Sequence, residues 1–123
     1  IMVHTIHLLF QLKENFKEAM NLSYSIFGND AFRKRFKQSD KRKPINKALF
    51  EVLSVNLAKL SVEERELINK NKSIFIKKLM DLHNSVDGKF LRAITQGTAQ
   101  KDLVTQRFLD IEKIIKETLE NDK

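Results

Sequence analysis

The stretch Pro44-Ile-Asn-Lys-Ala-Leu-Phe-Glu-Val-Leu-Ser-Val-Asn-Leu-Ala-Lys-Leu60 decides the fold. Its apolar residues are Ile45, Ala48, Leu49, Phe50, Val52, Leu53, Val55, Leu57, Ala58 and Leu60. At about 100° per residue they cover most of a helix's circumference, and only a narrow strip of Lys47, Glu51, Ser54 and Ala58 is left to meet solvent. A helix of that kind needs neighbours on most sides, so it belongs in the middle of a bundle. Pro44 is the only proline and is expected at the first helical position, where its missing N–H costs nothing. Asn56 falls on the face of Leu49, Val52, Leu53 and Leu60, and is expected to be buried with a hydrogen-bond partner.

Immediately upstream lies the strongest charge signal. Residues 31–47 hold Arg33, Lys34, Arg35, Lys37, Lys41, Arg42, Lys43 and Lys47 against one acid, Asp40. Eight bases against one acid account for the whole formal net charge of +7, so the rest of the chain is neutral. A neutral body with one dense cationic segment presents a local field that attracts polyanions. Phosphate backbone is the commonest target of such a segment. Arginines at 33 and 35 are suited to bidentate contacts with phosphate oxygens, while Lys41, Arg42, Lys43 and Lys47 supply point charge. The start of the following helix adds its own positive end to that field. The competing reading is a solvated lysine-rich loop, or one that pairs with acids elsewhere. Ala31, Phe32 and Phe36 suggest a short helix in the first half, and residues 37–43 read as an exposed loop. The two aromatics are better explained as anchors to the core than as stacking platforms for bases.

Further upstream, residues 4–27 place Leu8, Leu9, Leu12, Phe16, Ala19, Met20 and Phe27 at three-to-four spacing, with Lys13, Glu14, Lys17 and Glu18 outside. That pattern is an amphipathic helix, and Gly28-Asn29-Asp30 is a good stop for it. Downstream, Ser61-Val-Glu-Glu64 has the form of a capping box opening a short charged helix to about residue 70. Ile74, Phe75, Leu79 and Leu82 mark another helix ending near His83 and Asn84. Asp87-Gly88 breaks the chain before a short apolar turn or two at Phe90, Leu91 and Ile94. Gln96-Gly97-Thr98 is a second break, with Thr98 as the expected N-cap of the last helix. That helix, about residues 99–120, carries Leu103, Val104, Phe108, Ile111, Ile115 and Leu119 on one face. Arg107 is expected at the edge of that face, its stem packed there. A polar pocket of Gln96, Gly97, Thr98 and Arg107 is the lesser alternative.

Composition agrees. Three glycines and one proline in 123 residues favour long uninterrupted helices over many turns. The apolar fraction of 41%, with nine phenylalanines, is enough for a core. With no cysteine there is neither a disulfide framework nor a thiolate nucleophile. No apolar run approaches the roughly 20 residues a membrane-spanning helix needs. No basic region leads into a long apolar stretch at the start, so no secretory leader is read there. Beginning with Ile1 suggests a fragment of a larger protein. The expectation is therefore an all-α single domain, 1–123, of five or six helices around a central apolar helix at about 44–60, in a cytoplasmic protein.

Catalytic constellations are missing. The chain has no Gly-x-Ser-x-Gly elbow and no Gly-rich phosphate loop. Its carboxylates fall on solvated helix faces, with no pair singled out. His4 and His7 share a helix face, but a metal site needs three or four ligands and His83 is remote in sequence. All three are read as ordinary surface or boundary histidines. No catalytic residue, metal site or cofactor is expected within the fragment.

Four segments carry a family likeness: Ala31-Phe-Arg-Lys34, Arg42-Lys-Pro-Ile-Asn-Lys-Ala-Leu-Phe-Glu-Val52, Phe90-Leu-Arg-Ala-Ile-Thr-Gln-Gly-Thr98 and Val104-Thr-Gln-Arg-Phe108. In this order they resemble the C-terminal helical part of the GmrSD-type proteins, bacterial defence proteins with a ParB-like N-terminal domain. The likeness runs from about residue 14 to 120. In that family the nucleotide-hydrolysing or nuclease chemistry is associated with an Asp-Gly-Gln-Gln-Arg motif in the N-terminal domain. This chain lacks that motif, so the resemblance implies a non-catalytic helical module of a nucleic-acid-directed defence protein; the full-length protein would be a nucleotide-dependent nuclease. The expected partners are DNA phosphate backbone, through Arg33, Lys34, Arg35, Lys37, Lys41, Arg42, Lys43 and Lys47, and the ParB-like domain of the parent protein. A second copy is a further candidate. The alternative is a module that packs on that domain or dimerises without touching nucleic acid.

Overall fold

A computed structural model describes residues 2–96 and 99–121. Among these there are six α-helices: α1 Met2–Phe27, α2 Lys47–Ala58, α3 Val62–Lys70, α4 Lys72–His83, α5 Lys89–Thr95 and α6 Lys101–Glu120. One 3-10 turn, Gly28–Asp30, follows α1, and one isolated antiparallel bridge joins Arg33 to Ile45. The chain is all-α, and no helix among the described residues is long and apolar enough to cross a membrane.

The central helix is where its sequence puts it, but shorter and rotated. It packs on α1, α5 and α6, and buries Ala48, Leu49, Val52, Leu53 and Leu57. It shares the centre with α6, which touches α2, α3, α4 and α5. The strip expected to face solvent is only half right. Lys47 and Glu51 are exposed, yet Ser54 is buried, Ala58 is half-buried and Val55 is exposed instead. Ser54 is tolerated inside because its hydroxyl donates to the Phe50 carbonyl at 2.6 Å. Asn56 is buried as expected, and its amide donates one turn back to Val52 at 2.8 Å. Phe75, Phe90, Ile68, Ile94 and Ile111 complete the core from the surrounding helices. Each large apolar side chain so buried contributes about 1.5–3 kcal/mol by transfer from water.

Pro44 is not the first helical residue. Residues 44–46 are held extended: Ile45 bridges Arg33, and the Asn46 amide donates to the Phe32 carbonyl at 2.9 Å. Asn46 is the N-cap, its side-chain oxygen accepting from Leu49 N–H at 2.8 Å. Its amide nitrogen donates to the Ile94 carbonyl at 2.8 Å, tying the start of α2 to the end of α5. The Ser61–Glu64 capping box forms in full.

α1 divides in two. Its second half packs, burying Ala19, Leu22, Ser23 and Ile26. Of the face expected to be apolar and covered, Leu8, Leu9, Leu12 and Phe16 are 48–64% exposed, although the Phe16 ring meets Phe50 of α2 edge-on at 6.4 Å. Gly28, at φ +59°, stops α1 as expected.

Two further expectations change. His83 is no surface residue: it is buried in α4, between the rings of Phe36 and Phe90 at 5.5 and 5.4 Å. Arg107 is buried, not at an edge; one guanidinium nitrogen donates to the Ala93 carbonyl at 3.1 Å and another lies 3.8 Å from Glu51. It clamps the last turn of α5 to α2 and α6. His7 is exposed. Gly97 and Thr98, and with them the expected N-cap, lie outside the described residues; α6 starts after Gln100.

Candidate nucleic-acid interface

The basic segment is a closed loop between α1 and α2, and its first half is not helical. Phe32 adopts a left-handed backbone at φ +63°, a conformation costly for a non-glycine residue. It is held there because the ring is buried edge-on against Phe50 at 4.8 Å while the backbone carbonyl receives the Asn46 amide. With Arg33 paired to Ile45, residues 33–45 leave the body and return at the same point. They form a compact loop of the Ω kind.

Inside that loop the charges have structural partners. Arg33 donates from Nε to the Asn29 carbonyl at 3.0 Å, and its terminal nitrogen donates to the Lys43 carbonyl. Arg35 forms an ion pair with Asp30 at 2.8 Å and donates to the Gln38 backbone and side-chain oxygens at 2.8 and 2.9 Å. Both arginine forks are thus directed at the protein's own oxygens. Asp40 accepts from the amides of Phe36 and Lys37 at 2.7 and 3.2 Å. Those bonds, foremost that to Phe36, with Lys43 and Lys37 nearby, hold its carboxyl below the ordinary 3.8. Asn84 at the end of α4 donates to the Phe36 carbonyl at 2.7 Å and moors the first half of the loop to the bundle.

The remaining cations are differently placed. Lys37, Lys41, Arg42 and Lys47 are exposed, and Lys34 and Lys43 are half-exposed. Lys43 sits over the Phe36 ring, 5.5 Å from its centroid, and 3.8 Å from Asp40. Lys34 and Lys43 line an open groove of about 630 Å³ together with Arg92 of α5. Phe36, Pro44, Ile45 and Leu91 supply apolar walls, and Asn46 brings the positive end of α2 to the rim.

Arg92 was not expected from the sequence. The available signal was the period of α5: Phe90, Ala93 and Ile94 are buried, which turns Arg92 outward and towards the loop. Two backbone features set that face. Gly88, at φ +65°, makes the turn before α5, and Asp87 accepts from the Lys89 amide at 3.0 Å. That bond is the main reason the Asp87 carboxyl lies below its ordinary 3.8.

His83 closes the floor of the loop. It donates from Nδ1 to the Leu79 carbonyl at 2.8 Å. Burial pushes its pKa below the ordinary 6.5, with Lys34 adding a smaller push the same way. The ring is therefore a neutral packing element at physiological pH. Among the described residues no three metal-ligating side chains lie together.

The sequence-predicted cations thus fall into two groups. Arg33 and Arg35 build the loop, while Lys34, Lys37, Lys41, Arg42 and Lys43 are presented by it, with Lys47 at the start of α2 and Arg92 of α5 added from outside. Comparison of the chain with protein-family models, with curated proteins and with solved structures finds no match.

Proposed function

We propose that this chain is a non-catalytic helical module that contacts the DNA backbone through the basic loop, within a cytoplasmic, bacterial nucleic-acid-directed defence protein of the GmrSD type. One observation carries the binding part: a braced loop, closed by Arg33 and Arg35, displays five further cations with Lys47 beside it at the start of α2, and two of the five line a groove with Arg92. A braced loop loses little conformational entropy when it meets phosphates, so its charge is pre-organised for a polyanion. The defence context rests on the four sequence segments and their resemblance.

The test is binding of a 20-bp duplex followed by fluorescence anisotropy. Reversal of Lys41, Arg42 and Lys47 to Glu should abolish binding at moderate salt while the helical circular dichroism and melting temperature stay near those of the wild type. Unchanged affinity would overturn the proposal. Arg33 and Arg35 are unsuitable for this purpose, since their loss opens the loop itself.

The exposed half of α1 favours a second reading, a module that packs on the ParB-like domain or on a second copy. Leu12 and Phe16 line an open apolar groove with Val55 and Ala58, of about 540 Å³. Contiguous exposed apolar surface of this kind marks interaction sites. Under this reading the chain sediments as a dimer, or binds the ParB-like domain, and Leu9→Lys with Leu12→Lys abolishes that association. A wild-type monomer with no affinity for the domain would exclude it.

A further inference from the structure

We infer that the Lys34–Lys43–Arg92 groove takes an unstacked nucleobase, so that single-stranded nucleic acid is the preferred ligand of this surface. The inference rests on the nucleic-acid reading above and narrows it to one ligand class.

A surface built only for duplex phosphates needs charge and polar donors. This groove has both, but its interior is largely apolar: Phe36, Pro44, Ile45 and Leu91 form the walls below the three cations. Ile45 is 55% exposed, although it directly precedes the cap of the most buried helix. In duplex DNA the bases are stacked and paired, and only sugar and phosphate would reach such walls. A single strand can turn a base inwards, leaving its flanking phosphates at the rim, where Lys34, Lys43 and Arg92 stand. The volume of about 630 Å³ is of the size that small-ligand sites have.

Phe36 supplies the stacking face. Its outer side is covered by the half-exposed Lys43 ammonium at 5.5 Å, a contact weak enough to be exchanged for a phosphate. The incoming strand would draw Lys43 from the ring and expose the face on which the base settles. The ring is braced from behind: His83 packs against it at 5.5 Å, and Asn84 holds the Phe36 carbonyl. Polar groups for the base edge are present in Thr95 and Gln96 at the end of α5.

The experiment compares a labelled oligo-dT 20-mer with a 20-bp duplex by anisotropy at one salt concentration. The wild type should bind the single strand about tenfold more tightly than the duplex, as one stacked base warrants. Leu91→Gln and Ile45→Gln should each bring the ratio of single-strand to duplex affinity close to one. Backbone amide NMR shifts on the wild type, which depend on no variant, should move first at residues 36, 45, 91 and 92 as oligo-dT is added. Equal or tighter duplex binding, or shifts confined to residues 37–42, would overturn the groove assignment while leaving the phosphate-contact reading intact. Absence of binding to either ligand would defeat both.

Discussion

Arg33 and Arg35 stand only a few residues from Lys41 and Arg42, in the same loop and with the same charge, yet they do opposite things. The first pair faces inwards and is held by Asn29, Asp30, Gln38 and the Lys43 carbonyl. The second pair is exposed, with its charge available to a partner. Guanidinium forks are the better phosphate clamps in principle, and here that same geometry makes Arg33 and Arg35 good braces for a loop that has carbonyls to satisfy. Local charge density locates a site; the hydrogen bonds decide which cations belong to it.

The sharpest way to break this comparison is to remove the anchor beneath both pairs. Phe32→Ala deletes a buried ring against Phe50 and should cost about 3–5 kcal/mol, seen as a large drop in melting temperature. DNA affinity should fall with it, because the loop loses its frame. Next in size is the outward set: Lys41→Gln, Arg42→Gln and Lys47→Gln together should weaken duplex binding on the order of a hundredfold near physiological salt, with stability almost unchanged. Arg33→Ala should act first on stability, with affinity falling only as far as the loop opens. It removes charge-assisted bonds that close the loop, costing about 1.5–3 kcal/mol in denaturant unfolding. If Arg33→Ala left stability intact and reduced affinity as strongly as Arg42→Ala, the division of roles would be wrong.

The smallest effects come from pH. His83 is held below its ordinary 6.5 in the folded protein, so the unfolded chain binds the proton more readily. Its contribution to stability is complete above 6.5 and declines as pH falls through that value toward the folded pKa. Unfolding midpoints measured at pH 7.5 and pH 5.5 should show the lower stability at pH 5.5, and His83→Phe should reduce the difference. Asp40 acts on the acid side. Its carboxyl lies below 3.8 in the folded loop, so the stability it lends is present above 3.8 and is lost as pH falls further. Asp40→Asn should diminish that acid-limb loss in a melting series from pH 5 to pH 2.

Much of the fold was legible because local rules and tertiary packing agree. The Ser61 capping box, the Gly28 stop and the break at Asp87-Gly88 are set by short-range chemistry, and each is where the residues put it. The apolar excess of α2 identified a central helix. What failed needed knowledge of neighbours. The exchange of Ser54 for Val55 at the surface depends on how α1, α5 and α6 rotate around α2. Periodicity told which face of α1 is apolar, but not that Leu8, Leu9 and Leu12 on that face stay about half exposed or more. Pro44 was displaced from the helix start by the bridge between Ile45 and Arg33, twelve residues apart in the chain. In the site, the basic segment was plain and its outward cations follow from it. The inward turn of Arg33 and Arg35 and the arrival of Arg92 were not, because both depend on loop closure and on α5 docking beside it.

The central claim is that a braced loop presents its cations to phosphates. The direct measurement is the affinity of the wild-type chain for a 20-bp duplex between 50 and 300 mM salt, at pH 7.5. If the six displayed cations each neutralise a phosphate, log K should fall linearly with log salt at a slope of about −5. A slope near zero, or no detectable binding at the lowest salt, would contradict the account.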